Sequence, residues 1–452
     1  MSHSSTRNPD LLHGSISDKI LRIAIPLACT SILQQLFNSA DMAVVGRFAG
    51  SEALAAVGAN SSLINMLVNM FVGLSVGANA VIARHLGSGD TRRAGETAHT
   101  AIVLAVISGL FLAVIGQVFP RIILQWISTP EDILPLASLY LRIYFAGMPF
   151  IMLYNFTSAI FRSKGDTGTP LTALTIGGVL NVLLNLFFVI VMELSVAGVA
   201  LATVIANIVS SMILMIKLMH ATDALHIERS GLRLNLRHTA DIAAIGLPAG
   251  FQATLFSFSN VMIQSAINAL GTQTIAANAA EVTYEFMTFY LLSSFTQTNV
   301  TFVGQNYGAR NLPRCRQGIR RSLLLAEISI ILSAILLTIF ARPLLSIFTT
   351  DSEVIELGVI RFHIVICTQW LNTLIDNLSG ALRGLGHSLA PALVCIAGIC
   401  GFRLIYILGV YPISPSYRHL LLVYPISWVI TLTIMLIIYF RTMGKLSKGI
   451  SD

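Results

Sequence analysis

The sequence predicts an all-α membrane protein, with twelve transmembrane helices in two pseudo-symmetric six-helix bundles. Three observations carry that prediction. The 452 residues are 55% hydrophobic and only 11% charged, about half the charged share of a soluble domain. Twelve apolar stretches approach the length of one bilayer crossing. The chain also repeats itself: sliding it by 221 residues lays Arg162 on Arg383, Gly165 on Gly386, Pro170 on Pro391 and Gly87 on Gly308, and joins Ala55-Ala56 to Ala276-Ala277. A duplicated apolar chain implies a cleft between its halves, the seam at which transporters place their substrate site.

The expected spans are, in order, 20–44, 53–81, 98–118, 134–158, 169–191, 196–217, 242–268, 275–303, 322–340, 357–381, 389–410 and 419–440. Lipid offers the backbone no hydrogen bonds, so each span is helical. At roughly 20 residues apiece they leave no room for an ordinary soluble domain. Six fall in an N-terminal lobe, 1–218, and six in a C-terminal lobe, 242–440. A polar cytoplasmic linker, 219–241, joins them, and 441–452 forms a cytoplasmic tail. An even number of crossings per lobe makes the repeats parallel, related by an axis along the membrane normal.

The formal net charge of +7 invites a nucleic-acid partner, but its placement speaks of topology. With the N-terminus inside, 21 of the 28 Lys and Arg fall on the cytoplasmic side, from Arg7 to Lys448. Arg47, Arg121, Arg342 and Arg418 fall outside, and Arg142, Arg361 and Arg403 lie within spans. This is the positive-inside rule. It predicts a multi-pass protein of the plasma membrane, the bacterial inner membrane, with both termini cytoplasmic and the lipid bilayer, not nucleic acid, as its surroundings. Cys29, Cys315, Cys367, Cys395 and Cys400 have neither metal-ligand spacing nor the pattern of a disulfide framework, and read as packed thiols. Residues 1–18 are polar and the first apolar run is long enough to span, so no cleavable leader is expected.

Ionisable groups at bilayer depth mark a pathway by default. In span 1, Gln34, Asn38 and Asp41 form one helical stripe. Asn181 and Asn185 in span 5 and Thr203, Asn207 and Ser210 in span 6 form others. Together they offer a carboxylate with amide and hydroxyl oxygens, suited to a proton or to a sodium ion at Asp41, hard cations preferring oxygen ligands. The alternatives are helix-joining hydrogen bonds for the Asn residues and pairing with Arg47 for Asp41. In span 8, Asn278, Glu281, Glu285 and Thr288 share a face, with Glu285 about 15 Å deep at 1.5 Å per residue. Two carboxylates one turn apart repel when both are ionised, which suits a group that exchanges protons or cations.

Span 10 carries Gln369, Asn372, Asp376, Ser379 and Arg383 on one stripe, with Asp376 either in the pathway or paired with Arg383. Arg403 is deep in span 11 and demands an acidic partner, for which Glu281 or Glu285 is the candidate. Glu327 is expected to pair with Arg320 or Arg321. Counted this way the deep groups are net acidic. Phe256, Phe258, Phe286, Met287 and Phe289 could add apolar walls, which together favour amphipathic cations. No phosphate-binding Gly-rich loop, HExxH or nucleophile elbow is present. His85, His99, His363 and His387 lack ligand spacing. The chain therefore reads as no enzyme and no carrier of a cofactor, drawing on an ion gradient.

These residues resemble the multidrug and toxic compound extrusion (MATE) family over nearly the whole chain. Asp41 with Gly46, Ala53-Leu-Ala-Ala-Val-Gly58, Gly73-Leu-Ser-Val-Gly-Ala-Asn79 and the loop from Arg162 to Pro170 carry the resemblance in order. Asn181, Gly198-Val-Ala-Leu-Ala-Thr203 and Gly246-Leu-Pro248 complete it. The resemblance implies a twelve-helix antiporter that exports cationic drugs in exchange for sodium or protons by alternating access. It also implies a first-lobe cation site at Asp41, Asn181, a span 5 Asp and Thr203. Here that Asp is Asn185, which removes one charge and moves the expectation toward protons. A second branch uses a Glu in span 7, where this chain has no acid. The expectation is a monomeric secondary antiporter for small cationic substrates, carrying H+ or Na+. The alternatives are a lipid-linked precursor flippase of the same superfamily, which needs a basic cavity, and a membrane enzyme or receptor.

Overall fold

Long apolar runs without β-branched alternation fold as helices, and the computed structural model describes residues 10–126 and 129–449 as almost entirely helical, with no strand among them. Arg7 and the last three residues of the tail lie outside the described residues. The chain packs as two compact units, one built on Ile25–Gly250, the other on Phe251–Asp452 with Leu11–Ala24. The division falls inside a helix, not in the linker 219–241. The linker is tied back to the first unit: Lys164 pairs with Asp223 at 2.8 Å and the Glu228 amide donates to His99 Nε2 at 3.0 Å. Leu11–Ala24 packs with the second unit, where Arg314 and Asn306 donate to the Leu11 carbonyl.

In chain order the helices are α1 (Ile16–Phe48), α2 (Ser51–Gly87), α3 (Thr91–Val118), α4 (Pro120–Trp126), α5 (Leu134–Ala146), α6 (Met148–Ser163), α7 (Gly168–Leu186) and α8 (Ser195–Met219). Then follow α9 (Leu236–Asn268), α10 (Thr272–Gly308), α11 (Leu312–Ile339), α12 (Ala341–Ser346), α13 (Ser352–Ile364), α14 (Gln369–Gly384), α15 (Leu389–Cys395), α16 (Phe402–Ile405), α17 (Tyr417–Leu421) and α18 (Val423–Ser447). Among the described residues, ten helical stretches are long and apolar enough to cross a membrane, and α5 with α6, bent by 48°, makes an eleventh. Helix α10 has 37 residues, longer than a bilayer crossing, and is more polar than these.

The repeat is visible in the element boundaries. Helices α2 and α10 both have 37 residues and begin at 51 and 272; α3 and α11 both have 28 and begin at 91 and 312; α6 and α14 both have 16 and begin at 148 and 369. The turns repeat as well. Gly50 and Gly271 precede the long helices with φ of 90° and 106°, values open to glycine without strain.

Side chains facing outward are those lipid tolerates. Ile176, Val179 and Leu183 on α7, and Leu332, Ile335, Leu336 and Ile339 on α11, are among the most exposed apolar residues. Inside the first unit, helices meet through small residues. A Cβ on Gly73 or Gly77 of α2 would overlap the backbone of Gly250, Gly246 or Ile242 of α9. Gly77→Leu is therefore expected to cost about 2 kcal/mol or more through overpacking, read as a lowered unfolding temperature in detergent. Gly444→Ala, where nothing lies within 4 Å of the added carbon, should leave it unchanged.

Candidate functional site

In the first unit, α1, α7 and α8 converge on one carboxylate. Gly178 of α7 sits against the ring of Phe37, where a Cβ would collide. That close approach sets Asp41, one turn beyond Phe37, against the next turn of α7. Asn181 and Asn185 are spaced by one turn and buried. Asn185 Nδ2 donates to Asp41 Oδ1 and, at 3.3 Å, to Asn181 Oδ1. Asn181 Nδ2 donates to Thr203 Oγ1 at 3.3 Å, and Thr203 Oγ1 lies 3.4 Å from Asp41 Oδ2 and 3.0 Å from its own helix carbonyl at Val199. Four side chains from three helices thus close a ring around one acid. Asn185 Oδ1 is buried with no hydrogen-bond partner among the described residues.

The structure brings Asp41, Asn181, Asn185 and Thr203 together and leaves Gln34 and Asn38 out, exposed on the face of α1 they share with Asp41. Asn207 donates back to the Thr203 carbonyl of its own helix, and Ser210 joins α8 to α7 through the Ala173 carbonyl. Asp41 does not pair with Arg47. Tyr140 and Tyr144 of α5, stacked with centroids 5.9 Å apart, lie within electrostatic reach of Asp41. Neither stood out in the sequence, because tyrosine on an apolar helix carries no periodic polar signal.

The second unit holds a different arrangement. Tyr284 of α10 donates to the Leu344 carbonyl at 2.9 Å and packs on Phe348 and Phe362. This clamps α10 to α12 and α13 and brings Arg361 of α13 onto both acids. Arg361 Nε meets Glu281 Oε2 and Arg361 Nη2 meets Glu285 Oε2. The ring of Tyr424 on α18 lies between two guanidiniums, 5.2 Å from Arg361 and 4.5 Å from Arg403. The helix carrying Arg403 loosens into π-helical turns at Ile396–Gly401 and Tyr406–Val410.

Several expectations are corrected here. The partner of Glu281 and Glu285 is Arg361, not Arg403. Arg403 instead reaches Asn260 Oδ1 at 3.3 Å and Ser427 Oγ at 3.4 Å and stacks on Phe256. Arg361 and Arg403 thus match the two glutamates in number, although only Arg361 pairs with them. Arg383 donates to Gln252 at 2.8 Å and not to Asp376. Glu327 does not pair with Arg320 or Arg321, which are exposed; both its carboxylate oxygens are buried without a partner. Asn278 donates to Gln264 at 2.9 Å, and Asn372 is buried with its Oδ1 unpartnered. Phe258, Phe286, Met287 and Phe289 are exposed.

The MatE family model matches residues 26–187 and 248–408, the two halves of the repeat. The chain belongs to the MATE family. It is 28% identical over 388 residues to the probable multidrug resistance protein YoeA of Bacillus subtilis, with 83% of each chain covered. It is 24% identical over 393 residues to the probable multidrug resistance protein NorM of Thermotoga maritima, covering 86% of this chain and 84% of that one. A solved outward-facing multidrug resistance MATE transporter of the MOP superfamily shares the fold, with TM-score 0.90 at 21% identity over 99% of this chain and 100% of that one. As a MATE efflux transporter the chain is a multi-pass membrane protein.

Arg361 and Glu281 expose 2% and 0% of their side chains, so removing one leaves the other charged and unpaired. Arg361→Gln should lower stability by about 3–5 kcal/mol, measured by thermal unfolding in detergent. Adding Glu281→Gln to that variant should recover more than half the loss.

Proposed function

We propose that this MATE protein is a secondary antiporter. It exports amphipathic organic cations in exchange for protons by alternating access, and works as a monomer in the plasma membrane with both termini cytoplasmic. The observation that carries the reading is the closed polar ring at Asp41. A coupling group must gain and lose charge without unfolding its surroundings, and its occupancy must change the relative stability of two states.

The ring offers a local way to do so. Thr203 has two acceptors for its hydroxyl proton, Asp41 Oδ2 and the Val199 carbonyl. With Asp41 ionised, the hydroxyl donates to the carboxylate. When a proton arrives on Oδ2, the hydroxyl turns to Val199 and its oxygen accepts from the new carboxyl O–H. Every donor keeps an acceptor in both forms. The single charge of the ring, with Asn185 beside Asp41, suits one proton per cycle.

Sodium is the second reading, favoured by the oxygen set of Asp41, Asn181 Oδ1, Thr203 Oγ1 and the unpartnered Asn185 Oδ1, which fits a hard cation. A flippase for lipid-linked anions needs free bases. Arg361 and Arg403, the two deep arginines of the second unit, are engaged by Glu281, Glu285, Asn260 and Ser427.

Proteoliposomes loaded with the protein should accumulate an organic cation such as ethidium under an imposed proton gradient and not under a sodium gradient alone. Asp41→Asn should abolish that uptake at normal expression. Thr203→Val, which keeps the shape and removes the switch, should reduce it at least tenfold. Full uptake by Asp41→Asn would remove Asp41 from the mechanism, and uptake driven only by sodium would select the second reading.

A further inference from the structure

The cluster around Arg361 holds a charge imbalance that the Asp41 ring does not use. Two carboxylates meet one guanidinium directly, each through a single nitrogen. Arg403 stands on the Tyr424 ring and forms no ion pair with either acid among the described residues. Glu281, Glu285 and Arg361 together therefore retain one negative charge when all are ionised. The two acids are also unequal. Glu281 is sealed, whereas Glu285 keeps 21% of its side-chain surface accessible. On a membrane-spanning helix, a carboxylate exposes itself to a water-filled space rather than to lipid. At the cluster Glu281 Oε1 is buried with no hydrogen-bond partner among the described residues, a condition that native interiors rarely tolerate without use.

We infer that Arg361 is a tethered counter-cation, and that a monovalent amphipathic organic cation binds at Glu285 by displacing it. This rests on the reading of the chain as an exporter of organic cations. Displacement breaks only the Arg361 Nη2 contact to Glu285. Arg361 keeps Glu281 through Nε, and Nη2 has Tyr424 Oη at 3.5 Å as its next acceptor. The incoming cation supplies the positive charge that Glu285 loses and cancels the one negative charge the three residues retain.

A tether also explains selectivity. An intramolecular competitor is present at an effective concentration of the order of millimolar or more, so a cation that offers charge alone is out-competed. A cation with apolar or aromatic surface gains additional contact from Phe289, exposed one turn along α10 from Glu285, through cation–π and hydrophobic contact.

The test measures tetraphenylphosphonium binding to the full-length protein in nanodiscs by calorimetry, beside uptake in proteoliposomes. Glu285→Gln, which leaves the Arg361–Glu281 pair intact, should weaken binding at least tenfold. Tyr424→Phe keeps the ring and removes the alternative acceptor, and should weaken it about threefold to tenfold. The paired variant Arg361→Gln with Glu281→Gln, which frees Glu285 of its competitor, should bind at least fivefold tighter and should also hold tetraethylammonium, which the unaltered protein should not. Binding by Glu285→Gln equal to that of the unaltered protein, or Tyr424→Phe without effect, overturns the inference. If the unaltered protein neither binds nor accumulates tetraphenylphosphonium, the export reading itself fails. If it does both and Glu285→Gln is indifferent, only the role of Glu285 and Arg361 fails.

Discussion

A polar group inside a bilayer has no water to fall back on, so each must find a partner within the protein or face a space that holds water. Nearly everything specific about this chain follows from how its two halves meet that constraint. The first unit holds Asp41 of α1 half-buried and surrounds it with neutral donors from α7 and α8. The second sets two acids of α10 against one guanidinium of α13. A hydrogen-bonded ring can change its net charge while keeping its partners. An ion-paired cluster can exchange one cationic partner for another.

The duplication shows that these are two treatments of one scaffold. At the 221-residue offset Asp41 falls on Met262, Asn181 on Phe402, Asn185 on Tyr406, and Thr203 on Tyr424. In the other direction Glu281 falls on Asn60. Helix lengths and glycine turns persist, because they depend on small residues and apolar faces that both halves kept. The polar positions did not persist. Thr203 closes the ring around Asp41, and its counterpart Tyr424 separates two guanidiniums. One position on one helix thus serves the central charge in both halves, by a hydroxyl in one case and a π face in the other.

The scaffold was legible in the sequence because length, apolarity and the repeat are properties of whole segments, and they survive scatter in single residues. The Asp41 ring was partly legible. Asn181 and Asn185 stand one turn apart on an otherwise apolar helix, a pattern that lipid penalises unless the amides are used. The same reasoning over-reached at Gln34 and Asn38, since a stripe continues along the helix beyond the point where its neighbours pack. It missed Arg361 as a partner because α13 and α14 were read as one straight span, 357–381. The break at Ile366–Thr368 turns Arg361 toward α10, and a contact across 80 residues leaves no trace in helical periodicity. For Glu327 the sequence offered two arginines about two turns away, but these extend outward while the carboxylate stays in.

The contrast between Asp41 and Arg361 bears on how a duplicated bundle acquires two jobs. In a symmetric ancestor with the same acid in both halves, every cation would meet equivalent sites, and occupancy of one would carry no information about the other. Neutralising the second-half counterpart of Asp41 to Met262 and raising an arginine beside Glu281 and Glu285 breaks that equivalence without altering a helix boundary. In the proposed antiport, a bare proton is taken by a lone carboxylate whose neighbours can reorient their hydrogen bonds, as Thr203 can between Asp41 and Val199. In the same proposal, a carboxylate already held by a guanidinium answers only to a cation that brings contacts of its own. On that reading the chemical difference between the two species is written into which acid has a tethered rival and which has none.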